Sequence, residues 1–197
     1  MAEQEVAEYV KANGKHNSAT GKPATMCAKP GQKCGIPHEY GSTGFGVFHA
    51  AKVAADHLGL NMKGATIAIE GLGNVGEFAG KYFTEAGAKL VGISDSQGLI
   101  YNKAGIDFKK IVTVKKKTRS VINYKPGKVL PNREVIGLPV DILVTAAEPD
   151  LIKVADVPKV KAKLIVEGSN IPMTPEVEQK LHEKKLAPVQ SKGSRFP

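Results

Sequence analysis

Three glycines in the segment Gly71-Leu72-Gly73-Asn74-Val75-Gly76 constrain the fold of this chain more than any other feature. They follow a short apolar run, residues 65–69, whose length is typical of a buried β-strand. They precede residues 74–86, whose apolar spacing is helical and which end at Gly87. Glycines at this spacing indicate a phosphate-binding turn only where a strand leads into a helix. The chain meets that condition.

Strand and helix patterns alternate along the remainder of the chain. Apolar runs of strand length occupy residues 89–94, 141–145 and 163–167, and helical patterns occupy residues 43–58, 107–121 and 174–185. The continuous apolarity of the strands indicates a parallel sheet that is covered on both faces. We therefore predict an α/β fold of the Rossmann type, a doubly wound, mostly parallel sheet with helices on both faces.

The chain is predicted to divide into three parts. Residues 1–40 would form a lead-in of one helix and loops, residues 41–190 the dinucleotide-binding domain, and residues 191–197 a tail. No stretch of the sequence approaches the ~20 apolar residues of a membrane helix. The first ten residues lack the basic-then-apolar order of a secretory signal, so we expect a cytoplasmic location.

Each glycine of the turn has a predicted role in binding a dinucleotide. Gly71 permits the tight turn, Gly73 lets the backbone approach a pyrophosphate, and Gly76 lets the helix pack close to the strand. The amides at the start of the helix, at Asn74 and Val75, would face the phosphates. The expected cofactor is NAD or NADP.

An acidic residue about twenty positions after such a turn is expected to bind the adenosine ribose. Asp95 holds this place, with Ser96 beside it. A carboxylate here slightly favours NAD over NADP, because a 2′-phosphate would meet a negative charge. Ser94, Ser96 and Lys103 could relax that preference, so dual use stays open. Asp95 could also act only as the cap of a turn.

Two later strand ends are candidates for the same ligand, because ligands of such folds collect at the carboxyl edge of the sheet. Ala146 and Ala147 follow the strand at residues 141–145 and leave space for a flat ring or a ribose. Asn170 follows the strand at residues 163–167 and could bond a ribose hydroxyl or the nicotinamide carboxamide. Either segment could instead be an ordinary transition from strand to loop.

Metal and nucleic-acid binding are both disfavoured. Cys27 and Cys34, with His38 nearby, have no second pair of ligands at zinc-site spacing, so two free thiols and no metal are expected. The net charge of +9 is consistent with binding to phosphates. However, the densest basic cluster, residues 109–119, lacks interleaved aromatic residues and is typical of a solvated helix face. We expect neither nucleic acid nor a membrane as partner.

Taken together, these motifs resemble the cofactor-binding domain of the Glu/Leu/Phe/Val dehydrogenase family, and its glutamate dehydrogenases most closely. The resemblance is carried by residues 20–23 (TGKP), 41–47 (GSTGFGV), 69–76 (IEGLGNVG), 94–96 (SDS), 141–147 (DILVTAA), 165–170 (IVEGSN) and 174–176 (TPE). It implies that Thr43 lies near the nicotinamide, that the glycine turn holds the pyrophosphate, and that Asn170 touches the nicotinamide riboside. It also implies reversible oxidative deamination of glutamate to 2-oxoglutarate and ammonia, and a homohexamer for full-length relatives.

The chain also departs from the family pattern. The family carries its catalytic lysine and aspartate in a substrate domain ahead of the cofactor domain, and no segment here matches it, so no catalytic residue is assigned. Residues 26–33 differ from the expected short glycine-rich link. Residues 187–190 (APVQ) stand where the family continues into a strand.

These departures lead to one expectation and two alternatives. We expect the chain by itself to bind the cofactor with little or no turnover, because the groups that act on the amino acid lie in the substrate domain. A preference for leucine, valine or phenylalanine is a minor alternative to glutamate. The other alternative is a free-standing module that senses NAD(P)(H) without catalysis.

Overall fold

The computed structural model describes residues 3–19, 21–27, 40–184 and 186–190. Two compact units are present, one within residues 1–42 and one within residues 43–197. The boundary predicted from the sequence lay after residue 40, and the domain assignment stays a prediction. Cys34, His38 and the predicted tail lie outside the described residues.

The first unit contains helix α1 (Glu3–Asn13) and a short 3-10 helix (Ala24–Cys27). Helix α1 ends where Gly14 adopts a left-handed conformation, with φ of +69°. The amide of Gly14 donates to the carbonyl oxygen of Val10 (3.1 Å), which closes the last turn.

The second unit is built on a seven-stranded sheet with the order β4-β3-β2-β1-β5-β6-β7. Its strands are β1 (Thr66–Glu70), β2 (Lys89–Asp95), β3 (Gly98–Tyr101), β4 (Lys128–Leu130), β5 (Ile142–Thr145), β6 (Leu164–Glu167) and β7 (Ala187–Gln190). Strands β2, β1, β5, β6 and β7 pair in parallel, whereas β3 and β4 are antiparallel. The predicted α/β fold with a mostly parallel sheet is confirmed.

Four helices accompany this sheet: α2 (Ser42–His57), α3 (Asn74–Glu85), α4 (Phe108–Thr118) and α5 (Pro175–Glu183). Asp107 caps α4 by accepting a hydrogen bond from the amide of Lys110 (2.9 Å). Helix α5 lies within the helical pattern predicted for residues 174–185 and begins with Pro175 after the N-cap Thr174, whose side chain makes no capping hydrogen bond. None of the helices in the described ranges is long and apolar enough to cross a membrane.

Both faces of the sheet are covered, because alternate residues of each strand point to opposite sides. In β1, Ile67 and Ile69 belong to a core cluster on one face, with residues of α2, α3 and α4, and Ala68 belongs to a cluster on the other. That second cluster contains residues of α5 and of two 3-10 helices (Asn132–Gly137 and Val154–Lys159). The continuous apolar runs therefore reflect burial on two sides.

Two expectations about the strands were wrong. The sequence analysis assigned no strand between residues 95 and 140, whereas β3 and β4 extend the sheet beyond β2. These strands have only four and three residues, too few for a visible alternation. Residues 187–190 were expected to depart from the family's strand, but they form β7. Pro188 is tolerated there because β7 is an edge strand.

Candidate dinucleotide site

The glycine turn connects β1 to α3 and is fastened to the end of β2. Gly71 has a φ of +92°, a conformation that glycine adopts without strain. Its amide donates to Ser94 Oγ (3.3 Å), and the amide of Leu72 donates to the Ser94 carbonyl oxygen (2.9 Å). One serine at the carboxyl end of β2 therefore holds the turn through two hydrogen bonds.

Two of the three glycines are required by packing within the chain. A Cβ atom on Gly71 would lie 2.5 Å from the Cβ of Ala147, which follows β5. A Cβ atom on Gly76 would lie 1.9 Å from the carbonyl oxygen of Gly71. Any side chain at these positions would displace the turn, the start of α3 or the loop after β5.

Gly73 is different, because nothing in the described chain requires a glycine there. It is exposed, and a Cβ atom built on it meets no described atom within 4 Å. Its φ of −103° and ψ of −160° are open to any residue. The open space in front of this backbone fits a ligand that must approach the main chain closely.

The start of α3 next to Gly73 offers backbone amides to such a ligand. The first hydrogen bond of the helix runs from the amide of Glu77 to the carbonyl oxygen of Gly73 (2.8 Å), so the helix itself does not use the amides before it. Gly73 is the N-cap and has no side chain that could accept hydrogen bonds from the amides of Val75 and Gly76. Amides in this position, at the positive end of the helix dipole, bind phosphate oxygens.

A cleft of about 320 Å³ lies beside this turn, at the carboxyl edge of the sheet. It is lined by Glu70, Gly71, Leu72, Gly73, Ser94, Asp95, Ser96, Asn132, Arg133, Ala147, Glu148, Pro149 and Leu151. The volume is at the lower end of the range for small-molecule sites. Leu72 is itself buried, whereas Gly73 lines the cleft and is exposed.

Glu70, the last residue of β1, ties the turn to the loop after β5. Its Oε2 accepts hydrogen bonds from the amides of Ala146 and Ala147 (both 3.0 Å), and its Oε1 accepts one from the amide of Glu148 (3.2 Å). Burial raises the pKa of Glu70 above its ordinary value, although the three amides oppose the rise. This carboxylate fixes the relative position of two walls of the cleft.

Asp95, the last residue of β2, is engaged entirely inside the protein. Its Oδ1 accepts from the amide of Gln97 (2.9 Å) and from Ser120 Oγ (3.2 Å). Its Oδ2 accepts from Lys115 Nζ (2.6 Å) and from the amide of Val121 (2.8 Å). A carboxylate accepts about four hydrogen bonds. To bind a ribose, Asp95 would have to give up one of these partners.

The charge of Asp95 is balanced as well. Burial alone would raise the pKa of this carboxyl, but the hydrogen bond from Lys115 and the amides of Val121 and Gln97 outweigh it and hold the pKa below its ordinary value. Asp95 is therefore an ionised group that is neutralised by Lys115. The prediction that it binds the ribose stays a prediction, and the alternative of a structural cap gains support.

The cleft brings together five of the eleven residues that the sequence suggested, namely Gly71, Gly73, Asp95, Ser96 and Ala147. Asn74, Val75 and Gly76 form the first turn of α3, and the amide of Ala146 is bound by Glu70. Thr43 and Asn170 do not line the cleft. Thr43 is half-buried in the first turn of α2, and Asn170 is exposed after β6.

Close contacts bring the starts of α2 and α3 together with the loop after β6. A Cβ atom on Gly44 would lie 2.6 Å from the Cβ of Phe78 in α3. One on Gly168 would lie 3.0 Å from both Val47 in α2 and Val75 in α3. Thr43 neighbours the first of these contacts, and Asn170 is close in sequence to the second. Their contacts with nicotinamide remain predictions.

The sequence did not indicate several residues that line the cleft. Glu70 was named only within the motif at residues 69–76 and was given no role, although a charged residue that ends a buried strand was a usable signal. Asn132 and Arg133 begin a 3-10 helix that carries no recognisable motif. Glu148 follows the two alanines and was treated as loop. Only the fold brings these residues together.

Comparisons with known proteins support the assignment of the fold. The sequence model of the Glutamate/Leucine/Phenylalanine/Valine dehydrogenase family matches residues 34–194. The glutamate dehydrogenase of Aeropyrum pernix is 42% identical over 81% of this chain and 38% of its own length. The NADP-specific glutamate dehydrogenase of Saccharolobus shibatae is 38% identical over 90% of this chain and 41% of its own length. An enzyme named as NAD-specific is also among the relatives.

A solved structure agrees with these sequence matches. The hetero-hexameric glutamate dehydrogenase of Thermus thermophilus, in a leucine-bound form, superposes with a TM-score of 0.77 at 26% identity. The match covers 93% of this chain and 42% of that one. The chain thus spans about two fifths of the length of its relatives. On the match over residues 34–194, the chain belongs to the Glutamate/Leucine/Phenylalanine/Valine dehydrogenase family.

Proposed function

We propose that this chain binds a nicotinamide dinucleotide in the cleft beside the glycine turn. The observation that carries the proposal is Gly73, a glycine that faces open space and that no contact within the described chain requires. The pyrophosphate would rest against this backbone and the first amides of α3. Glu70 and Ser94 would act by holding the walls and the turn in place, and Ala147 would leave room for the ribose.

We further propose that the domain serves an amino-acid dehydrogenase, with glutamate as the preferred substrate. The bound nucleotide would supply the hydride acceptor for oxidative deamination. Thr43 and Asn170 are the residues of this chain proposed to orient the nicotinamide end. The reaction also needs a base for the amine, a cation that polarises the carbon–nitrogen bond, and groups that hold the carboxylates. No segment of these 197 residues matches the family's segment with the catalytic lysine and aspartate, so we propose little or no turnover by these residues alone.

The sequence slightly favoured NAD because it placed a carboxylate at the ribose. The structure gives that carboxylate four internal partners and balances its charge with Lys115. We therefore propose that Asp95 does not exclude the 2′-phosphate, so that the site accepts both NAD and NADP. We also propose that a longer protein with this domain forms a homo-oligomer, a hexamer as the family resemblance implies. A cytoplasmic location stays a prediction.

The proposal is tested by titrating the purified chain with NADH while following nucleotide fluorescence. Saturable binding is expected, and its absence would refute the cofactor site. Glutamate-dependent reduction of NAD or NADP is assayed on the same sample and should be very slow. Rapid turnover would contradict the proposed division of labour between this chain and a substrate domain.

Two further outcomes bear on the alternatives. The chain can also be joined to the substrate domain of a relative. If this fusion binds NADH but shows no turnover, the alternative function, a module that senses the nucleotide without catalysis, would be preferred to that of a dehydrogenase domain. Retention on a nucleic-acid column above ~0.2 M salt would revive a role for the basic residues, since non-specific phosphate binding weakens steeply with salt.

A further inference from the structure

Arg133 lines the same cleft as Asp95 and Ser96 but belongs to a different part of the chain. It lies at the start of the 3-10 helix Asn132–Gly137, which covers the opposite face of the sheet from α3. Its side chain is 45% exposed, so it is accessible to a ligand. No motif marks this residue, and its position follows from the fold alone.

The Arg133 guanidinium is anchored through one nitrogen. Its Nη2 donates to the carbonyl oxygen of Leu151 (3.0 Å) and to Asp156 Oδ2 (2.8 Å). A guanidinium has five N–H groups in a planar fork. The three on Nε and Nη1 make no hydrogen bond within the described part of the chain. Arg133 is thus held in place while most of its donors remain available.

Two of the acidic groups near this fork are paired with cations. Asp95 is neutralised by Lys115 (2.6 Å), and Asp156 pairs with both Arg133 (2.8 Å) and Lys159 (3.6 Å). The other acidic groups that line the cleft are Glu70, whose oxygens face the loop after β5, and Glu148, which lies in that loop. Ser96 places a hydroxyl in the same cleft.

We propose that Arg133 is a specificity-determining residue that binds the 2′-phosphate of NADP. The inference rests on the proposed dinucleotide site and deepens it. The end of β2 in such folds meets the adenosine ribose, and an arginine nearby accommodates the 2′-phosphate. The planar fork of arginine matches the oxygens of a phosphate and forms charge-assisted hydrogen bonds with them. The 2′-hydroxyl of NAD would gain far less from the same donors.

The test compares the dissociation constants of NADPH and NADH for the wild-type chain and for Arg133→Ala. The expected result is about a tenfold loss of NADPH affinity and less than about a twofold change for NADH, because charged hydrogen bonds are lost only with the phosphate. Arg133→Lys keeps the charge without the fork and should lose an intermediate amount of NADPH affinity. Far-ultraviolet circular dichroism checks that each variant is folded.

Lys159→Ala is the matched control. It removes the other cation beside Asp156, but Lys159 does not line the cleft, so both affinities should stay unchanged. Equal losses for NADPH and NADH in Arg133→Ala, or no loss for either, would overturn the role of Arg133. Failure of the wild-type chain to bind any nucleotide would instead refute the dinucleotide site itself.

Discussion

The neighbouring strands β1 and β2 both end in a buried carboxylate at the same edge of the sheet, yet the two ends differ. Glu70 accepts three amides from the loop after β5, and just beyond it Gly73 faces open space. The Asp95 carboxylate already accepts four hydrogen bonds from donors within the chain. The first end supports a ligand site, whereas the second mainly holds α4 and residues 120–121 against the sheet. A polar residue at the end of a strand therefore indicates a ligand site only if the fold leaves unused hydrogen-bond donors or open space beside it.

The largest effect is expected for a substitution of Gly73, which lies just beyond the end of β1. Gly73→Val should weaken NADH binding by at least ~100-fold, because the side chain would fill the space in front of the backbone that we propose to bind the pyrophosphate. The free energy of unfolding should change by less than ~0.5 kcal/mol, since a Cβ atom there meets nothing within 4 Å. Nucleotide fluorescence and urea unfolding measure the two quantities.

Gly76→Ala is the matched control for this variant. Its Cβ would lie 1.9 Å from the Gly71 carbonyl oxygen, so it should lower the free energy of unfolding by about 3 kcal/mol. Two results would contradict this comparison: normal NADH binding by Gly73→Val, or a loss of stability in Gly73→Val as large as in Gly76→Ala. Either would show that Gly73 does not differ from Gly76 in leaving space for a ligand.

At the end of β2, Asp95→Asn should lower the free energy of unfolding by about 2 kcal/mol, because the new amide group would face donors that need an acceptor. NADH affinity should change by less than about threefold, since the carboxylate is engaged internally. Urea unfolding and NADH titration check the two statements. A variant that kept its stability but bound NADH poorly would restore Asp95 as the ribose-binding residue.

The two carboxylates should also affect stability in opposite directions as the pH changes. Burial raises the pKa of Glu70 from its ordinary 4.5, so the stability that it contributes is full below pH 4.5 and is lost as the pH rises through the raised pKa. The pKa of Asp95 lies below its ordinary 3.8, because Lys115 and two amides outweigh burial. Its contribution is present above pH 3.8 and is lost as the pH falls through the lowered pKa.

Urea unfolding of the wild type, Glu70→Gln and Asp95→Asn between about pH 3 and pH 8 separates these contributions. The decline above pH 4.5 should be smaller in Glu70→Gln, and the decline below pH 3.8 should be smaller in Asp95→Asn. The slopes are the readout, because both substitutions also shift the overall stability. Slopes equal to those of the wild type would contradict the assigned directions.

The smallest effect is expected at the other edge of the sheet. Asp141, before β5, accepts the amide and the hydroxyl of Thr66 (both 2.8 Å) and pairs with Lys163 (2.7 Å). Asp141→Asn should lower the free energy of unfolding by about 1 kcal/mol and leave NADH affinity unchanged, because it is partly exposed and remote from the carboxyl edge. A change in affinity would show that the two edges are coupled.

The sequence predicted the features that depend on local pattern. Strands β1, β2, β5 and β6 and the turn between β1 and α3 were found because apolar runs and glycine spacing are visible over a few residues. Strand β7 was missed because residues 187–190 were judged only by their difference from the family pattern; their Pro188 is compatible with a strand at the edge of a sheet.

The features that the sequence did not reveal depend on distant parts of the chain. Asp95 was expected at the end of its strand, but three of its four partners lie 20 to 26 residues later and reach it only through the packing of α4 and the residues after it. Arg133 enters the cleft from a 3-10 helix with no motif of its own. Local pattern therefore predicts where a backbone turns, whereas the hydrogen-bond partners of a side chain depend on tertiary packing.

The two hydrogen bonds from the glycine turn to Ser94 have a consequence for the proposed binding of a nucleotide. Because hydrogen bonds to β2 already restrain the turn, its backbone loses conformational entropy during folding. This loss is not repeated when a nucleotide binds. Nucleotide association should accordingly be fast and require little rearrangement of this segment.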